Sequence, residues 1–263
     1  MEGVSVNTPP STPQGSMEEL QPATPLDVAL DACSVGWIGV GVGIDGSPMG
    51  FCQPPEYPEK YGRFYSPEEA FYKLKEAAHR YGVNKLRISG AEPTLGKEHL
   101  LDLLEHVEES EFPLFILETN GILFGIDKNY VRSISKFTKP HVRISIKAGT
   151  PEAFARKTGA KPEAFKLPFQ AIRNLLDHNV SFHVAAMSAD PRFMTPDERT
   201  SLIERLVEID PQLLLSLEEE VVDDYDTTLA RLRLAGWRVE WPLKRIYTPV
   251  RELLRKRHPR RGL

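Results

Sequence analysis

Basic residues are missing from the start of this 263-residue chain: the first Lys or Arg is Lys60. At the density of the rest of the chain, about nine or ten would be expected there. The same 59 positions hold eight acids, Glu2, Glu18, Glu19, Asp27, Asp31, Asp45, Glu56 and Glu59, and so carry a formal charge of −8. Residues 60–263 have all 33 basic groups against 29 of the 37 acids, or +4, and the net −4 conceals the break. Cysteine is nearly absent, with Cys33 and Cys52 alone, which excludes a disulfide-stapled scaffold and any metal site made only of local cysteines. No apolar run approaches the roughly 18 residues that a membrane-spanning helix needs. No basic start precedes an apolar stretch, so no secretory signal is read and a cytoplasmic location is the expectation.

What is present near the N-terminus is proline: Pro9, Pro10, Pro13, Pro22, Pro25, Pro48, Pro54, Pro55 and Pro58. Residues 1–35 read as a disordered leader. Trp37-Ile-Gly-Val-Gly-Val-Gly-Ile44 has strand alternation weakened by Gly at every second position, so residues 36–57 read as a degenerate first strand and loop.

From Ser66 the pattern becomes regular. Ser66-Pro-Glu-Glu69 supplies an N-cap, a Pro at the first helical position and the Glu of a capping box, and Gly82 stops the helix after Tyr81. Strands are expected at 85–89, 114–117, 141–146, 181–186, 213–217 and 237–241. Helices are expected at 97–107, 128–137, 151–157, 162–178, 196–209 and 226–235. Such alternation implies a parallel α/β architecture, either a partial (βα) barrel or a doubly wound sheet. In both, ligands meet the C-terminal ends of the strands. Those ends read Ser89-Gly-Ala-Glu-Pro-Thr94, Glu118-Thr-Asn-Gly121, Ser145-Ile-Lys-Ala-Gly149, Met187-Ser-Ala-Asp190 and Glu218-Glu-Glu220. Acids, amides and a Lys on successive strand ends point to a site.

Arg87-Ile-Ser-Gly-Ala-Glu-Pro-Thr94, Phe115-Ile-Leu-Glu-Thr-Asn-Gly121 and Val142-Arg-Ile-Ser-Ile-Lys-Ala-Gly149, in this order and spacing, resemble the core of radical S-adenosylmethionine (radical SAM) enzymes. The resemblance spans about residues 58–235 and implies a partial (βα)6 TIM-like barrel with parallel strands. It implies that Gly90, Ala91, Glu92 and Pro93 hold the amino group of S-adenosylmethionine. The remaining polar contacts fall to Glu118, Asn120, Ser145 and Lys147, with Lys147 suited to the carboxylate. A [4Fe–4S] cluster is implied as the second cofactor, and with it reductive cleavage of S-adenosylmethionine to a 5′-deoxyadenosyl radical. The family's three cluster thiolates come from a C-x3-C-x2-C loop. Here the corresponding stretch is Asp45-Gly-Ser-Pro-Met-Gly-Phe-Cys52: Cys52 can stand for the third ligand, Met49 occupies the second, and no cysteine is near the first. No His precedes His79 to substitute. The chain as written is therefore expected to lack the cluster and to be inactive in the family's reaction. Either it is a natural cluster-free relative, or residues 1–57 come from a shifted or wrongly started reading frame. Charge loss, Pro/Gly enrichment and loss of the resemblance coincide at one point, which favours the second.

Two other classes compete. Glu92, Glu118, Glu218 and His183 suggest a divalent-metal barrel isomerase or lyase, although His183 reads better as a sheet-face histidine. A non-catalytic binding module is suggested by the C-terminal segment 236–263. Its basic tail, from Lys244 to Arg261, is a candidate nucleic-acid contact, set against the plainer reading of a solvated terminus. Arg192 is a candidate for binding a substrate anion, set equally against a plain solvent-facing Arg. The sequence names no substrate.

Overall fold

The computed structural model describes residues 65–89, 92–222 and 237–257. The leader, the 36–57 segment, both cysteines, Gly90, Ala91 and the helix expected at 226–235 lie outside the described residues. Helix α1, Pro67–Tyr81, begins on the expected capping box, with Ser66 Oγ accepting from Glu69 N and Glu69 reaching back to Ser66 N at 2.8 Å. It ends at Gly82, whose φ of 64° lies where a side chain is strained. Strand β1 is Lys85–Ile88, followed by a 3-10 turn at Pro93–Leu95 and α2, Lys97–Glu108. Next come β2, Leu114–Thr119, the short α3, Ile122–Ile126, and α4, Lys128–Ile134. Then follow β3, Pro140–Ile146, α5, Pro151–Thr158, α6, Lys166–Asp177, and β4, Phe182–Ala186. The last regular elements are α7, Pro196–Ile209, β5, Glu218–Glu219, and α8, Val250–Arg257.

The five strands are all parallel and lie in sequence order, β1-β2-β3-β4-β5. A doubly wound sheet reverses its strand order at a switch point; this one does not. The order is that of an arc of a (βα) barrel, and among the described residues β1 and β5 do not pair to close it.

Strand alternation divides the sheet into two faces. Leu86, Phe115, Leu117, Val142, Ile144, Val184 and Ala186 are buried in the main core. They share it with helix residues such as Leu103, Leu104, Val131, Ile172, Leu175 and Leu202. The opposite face carries Arg87, Glu118, His141, Arg143, Ser145 and His183 by the same period of two. A sheet with one apolar and one polar face places its helices on one side and its chemistry on the other.

Three expectations are corrected. The strand at 213–217 is instead a 3-10 turn, Pro211–Leu215, capped by Asp210, and the strand follows as Glu218–Glu219. The turn buries the adjacent Leu213 and Leu214 together, which alternation in a strand cannot do. The strand expected at 237–241 has no ladder partner among the described residues. Trp237, Val239 and Trp241 do face inward at every second position, against Met187, Phe193 and Val222. The basic tail is not simply solvated over 250–257: α8 is docked through buried Val250 and through Leu254 packed on the core, leaving Arg251 and Arg255 exposed. In addition, the helix expected over 162–178 is a 3-10 turn, Pro162–Phe165, running into α6. Among the described residues no helix is long and apolar enough to cross a membrane.

Candidate functional site

The polar face is wired across the strands by carboxylate–guanidinium contacts. Glu118, near the end of β2, accepts from Ser89 Oγ at 2.6 Å and contacts Arg87 on β1. Its other neighbour is Arg143 on β3, at 3.8 Å. Arg143 is buried and gives Nε and Nη2 to the two oxygens of Glu218, both at 2.9 Å, and Nη2 also to Glu220 at 2.5 Å. This fork is the geometry that favours Arg over Lys at a carboxylate. Burial opposes the charge on Arg143, but Glu218 and Glu220 outweigh it and hold the guanidinium above its ordinary value. Arg143 in turn pulls the Glu218 carboxyl down to about 2, with His183 adding to the effect. Burial, then the nearby charge of Arg143, lower Arg87.

Glu92 has a different environment. It is 4% exposed, and its carboxylate is surrounded by donors. Oε1 accepts from the Thr94 and Thr119 hydroxyls, both at 2.6 Å, and from Thr94 N at 3.3 Å. Oε2 accepts from Asn120 N at 2.8 Å. Burial pushes its carboxyl up, against the pull of these four donors. Glu92 thereby ties the turn after β1 to the end of β2. Pro93 opens the 3-10 turn beside it.

Asn120 follows β2 directly. Its Oδ1 accepts from Ile122 N at 2.9 Å, which starts α3 and fixes the orientation of the amide. Its Nδ2 is buried and has no hydrogen-bond partner among the described residues. An unpaired buried donor costs about 1–3 kcal/mol, which a ligand acceptor would relieve. Ser145 and Lys147 lie on the Arg143 side of β3 and are half-buried. Glu118, Asn120, Ser145 and Lys147 thus occupy neighbouring strand ends, as β2 and β3 pair up to Thr119 and Ile144.

At the other side of the mouth the polar groups are engaged with the protein. Asp190 is fully buried and grips Arg192 through Nε and Nη2 at 2.9 and 2.7 Å, while also accepting from Val222 N. Arg192 also donates to Val222 O and stacks over Trp241 at 4.0 Å. Its work is to hold the 237–241 segment, and the expected anion-binding role is not supported. Glu219 accepts from Ser188, Arg199 and Val250 N, fastening α8 to the end of β4.

The cofactor fit divides. A polar, zwitterionic ligand suits a face with carboxylates, a buried cation and an unsatisfied amide. An iron–sulfur cluster does not suit the residues present: the chain has two cysteines, 19 residues apart, where three close thiolates are needed. Among the described residues no group of three His, Cys, Asp or Glu side chains is placed to hold a metal ion, which leaves the divalent-metal reading without a site. Arg143, Glu220 and His141 were not singled out as site residues from sequence. The signal was there: His141-Val-Arg-Ile-Ser-Ile-Lys147 alternates polar and apolar without a break, marking one polar face.

A family model described as the Radical SAM superfamily matches residues 50–206, more than half of the chain. Among curated proteins, a "Probable GTP 3',8-cyclase" of Methanococcus maripaludis (strain C5) is 27% identical over 117 residues, covering 44% of this chain. One of the same name from Thermoplasma volcanium is 30% identical over 109 residues, covering 41%. The chain spans only 38% and 32% of these relatives' lengths. Among solved structures, Streptococcus suis SuiB bound to S-adenosylmethionine superposes at a TM-score of 0.41 with 12% identity, covering 88% of this chain and 47% of SuiB. Native anSMEcpe with bound AdoMet and a peptide gives 0.42 with 16% identity, covering 80% and 61%.

Proposed function

The chain belongs to the radical SAM superfamily, and from that premise we propose that it binds S-adenosylmethionine at the β1–β3 strand ends but, as written, does not assemble the family's [4Fe–4S] cluster. Gly90, Ala91, Glu92 and Pro93 would hold the amino group through backbone carbonyls, with the Glu92 carboxylate tied to Thr94, Thr119 and Asn120. Lys147 would pair with the carboxylate. Glu118, Asn120 and Ser145 would take the ribose hydroxyls. In this family, bound S-adenosylmethionine is the source of a 5′-deoxyadenosyl radical when a cluster supplies an electron. No such step is assigned here, because two distant cysteines cannot supply the three thiolates. The cyclase activity named for the relatives is not carried over either, since most of their length has no counterpart in this chain.

The observation that carries the binding reading is the buried Asn120 Nδ2, without a partner among the described residues, beside the polar ends of β2 and β3. Equilibrium dialysis of the purified chain with labelled S-adenosylmethionine tests it. Saturable binding is expected; no binding at millimolar ligand would refute it. After anaerobic reconstitution with iron and sulfide, the chain is expected to show little charge-transfer absorbance and no 5′-deoxyadenosine. Robust turnover would mean that Cys33 and Cys52 recruit a cluster after all. Translating the upstream DNA in the other two frames tests the origin of residues 1–57. A C-x3-C-x2-C motif about 15 to 20 codons before Tyr61 is expected, and its absence from every frame removes the frame explanation.

A further inference from the structure

The polar face carries a second row of contacts, closer to the N-terminal ends of the strands, that cofactor binding does not use. Ser181 is exposed one residue before β4, and its Oγ lies 2.8 Å from His141 Nδ1. His141 Nε2 lies 2.7 Å from His183 Nδ1, and His183 Nε2 lies 2.9 Å from Glu218 Oε2. The two imidazoles are nearly parallel, at 20°, with centroids 5.0 Å apart.

One acceptor sets every proton in this row. Glu218 is an ionised carboxylate already receiving two bonds from Arg143, so it can only accept. His183 must therefore carry its hydrogen on Nε2. In the neutral ring Nδ1 is then an acceptor, so His141 also carries its hydrogen on Nε2. His141 Nδ1 is left to accept from the Ser181 hydroxyl. Two protonated rings would set N–H against N–H at 2.7 Å, so the pair has room for one added proton and not two. That proton enters at His141 Nδ1, where the Ser181 hydroxyl can turn from donor to acceptor. Passing the Nε2 hydrogen of His141 to His183 Nδ1 then moves the positive charge to the ring beside Glu218. The number of protons is conserved, no other bond changes, and the reverse transfer restores the starting state.

We propose that His141 and His183 form a shared one-proton site, loaded from the Ser181 side and presenting its charge beside Glu218. The charged neighbours are few. From β3 comes Arg143, from β5 Glu218 with Glu220 just after it, and beyond Arg143 lie Glu118 on β2 and Arg87 on β1. β2 sets Ile116 opposite His141 and adds no charge there. Burial, then the proximity of His183, lower the His141 pKa, in keeping with a pair that resists a second proton.

A pH titration of the imidazole nitrogens by 15N NMR on the full chain tests this without any ligand, so failure of cofactor binding leaves the outcome readable. His141→Asn and His183→Asn assign the signals. Both rings are expected to respond together and to take up one proton in total, not two. Glu218→Gln should shift the shared midpoint down, while Glu218→Asp, which keeps the charge, should restore most of it. Two protons with independent midpoints, or a midpoint unmoved in a folded Glu218→Gln protein, would overturn the proposal.

Discussion

Glu92→Ala separates two duties for a buried carboxylate at the strand ends. The substitution strands four donors: Thr94 N, Asn120 N and the hydroxyls of Thr94 and Thr119. Each orphaned donor costs about 1–3 kcal/mol. The hydroxyls can rotate and recover part of this, and Thr119 still accepts from Gly121 N at 3.0 Å. Thr94 N, at 3.3 Å, has little to lose. Removing a buried acid also relieves its desolvation. The net expectation is a loss of about 2–5 kcal/mol, a large share of the roughly 5–15 kcal/mol typical of a domain. Glu92→Gln should cost less, about 1–2 kcal/mol, because its amide can face hydroxyls that turn to accept while its oxygen keeps Asn120 N. Urea unfolding followed by far-UV circular dichroism gives both values from the midpoint at constant slope. Loss of S-adenosylmethionine binding in a Glu92→Ala protein within about 0.5 kcal/mol of the native chain would refute the bracing role and give the carboxylate to the ligand.

Asn120→Asp keeps the acceptor that starts α3 and deletes the unpartnered donor. Stability should hold within about 1 kcal/mol while S-adenosylmethionine binds about tenfold more weakly, measured by dialysis. Glu218 contributes to the pH dependence of folding. Its carboxyl lies at about 2 in the fold against 4.5 ordinarily, so its contribution is complete above pH 4.5 and is lost as pH falls toward 2. Glu218→Gln should flatten the acid limb of a stability–pH curve over that window, and an unchanged limb would count against the Arg143 pairing. Gly149→Ala should destabilise by about 1–3 kcal/mol in thermal unfolding, since overpacking forces the backbone apart. Its Cβ would meet Glu198 O at 2.0 Å, where the loop after β3 is pressed on α7. A neutral effect would mean that this approach is looser than described.

Legibility in the sequence followed the range of the interactions. The capping box of α1 and the Pro starts of α5 and α7 were readable because cap and helix lie within a few residues of each other. The five-residue α3 was too short to show a helical period. The segment 237–241, expected as a strand, keeps the alternation of one, with Trp237, Val239 and Trp241 turned inward, but forms no ladder among the described residues. Alternation reports which way side chains point, whereas a strand also needs a ladder partner from elsewhere in the chain. The strand-end residues were legible as a polar set, but not as a wired one. Arg143 meets Glu218 and Glu220 across 75 and 77 positions, and no local pattern encodes that distance.

The sequence by itself determined the α/β alternation, the polar strand ends, the family resemblance and the shortage of cluster thiolates. Each is a matter of residue identity or of spacing within one element. The tertiary structure alone decided that the sheet runs in unreversed order and that Glu92 is enclosed by four donors. It also decided that the Asn120 amide has no partner among the described residues, and that His141, His183 and Glu218 stand in one row. Those facts depend on strand register, which brings residues tens of positions apart within hydrogen-bond distance, and register is settled only when the apolar faces pack together.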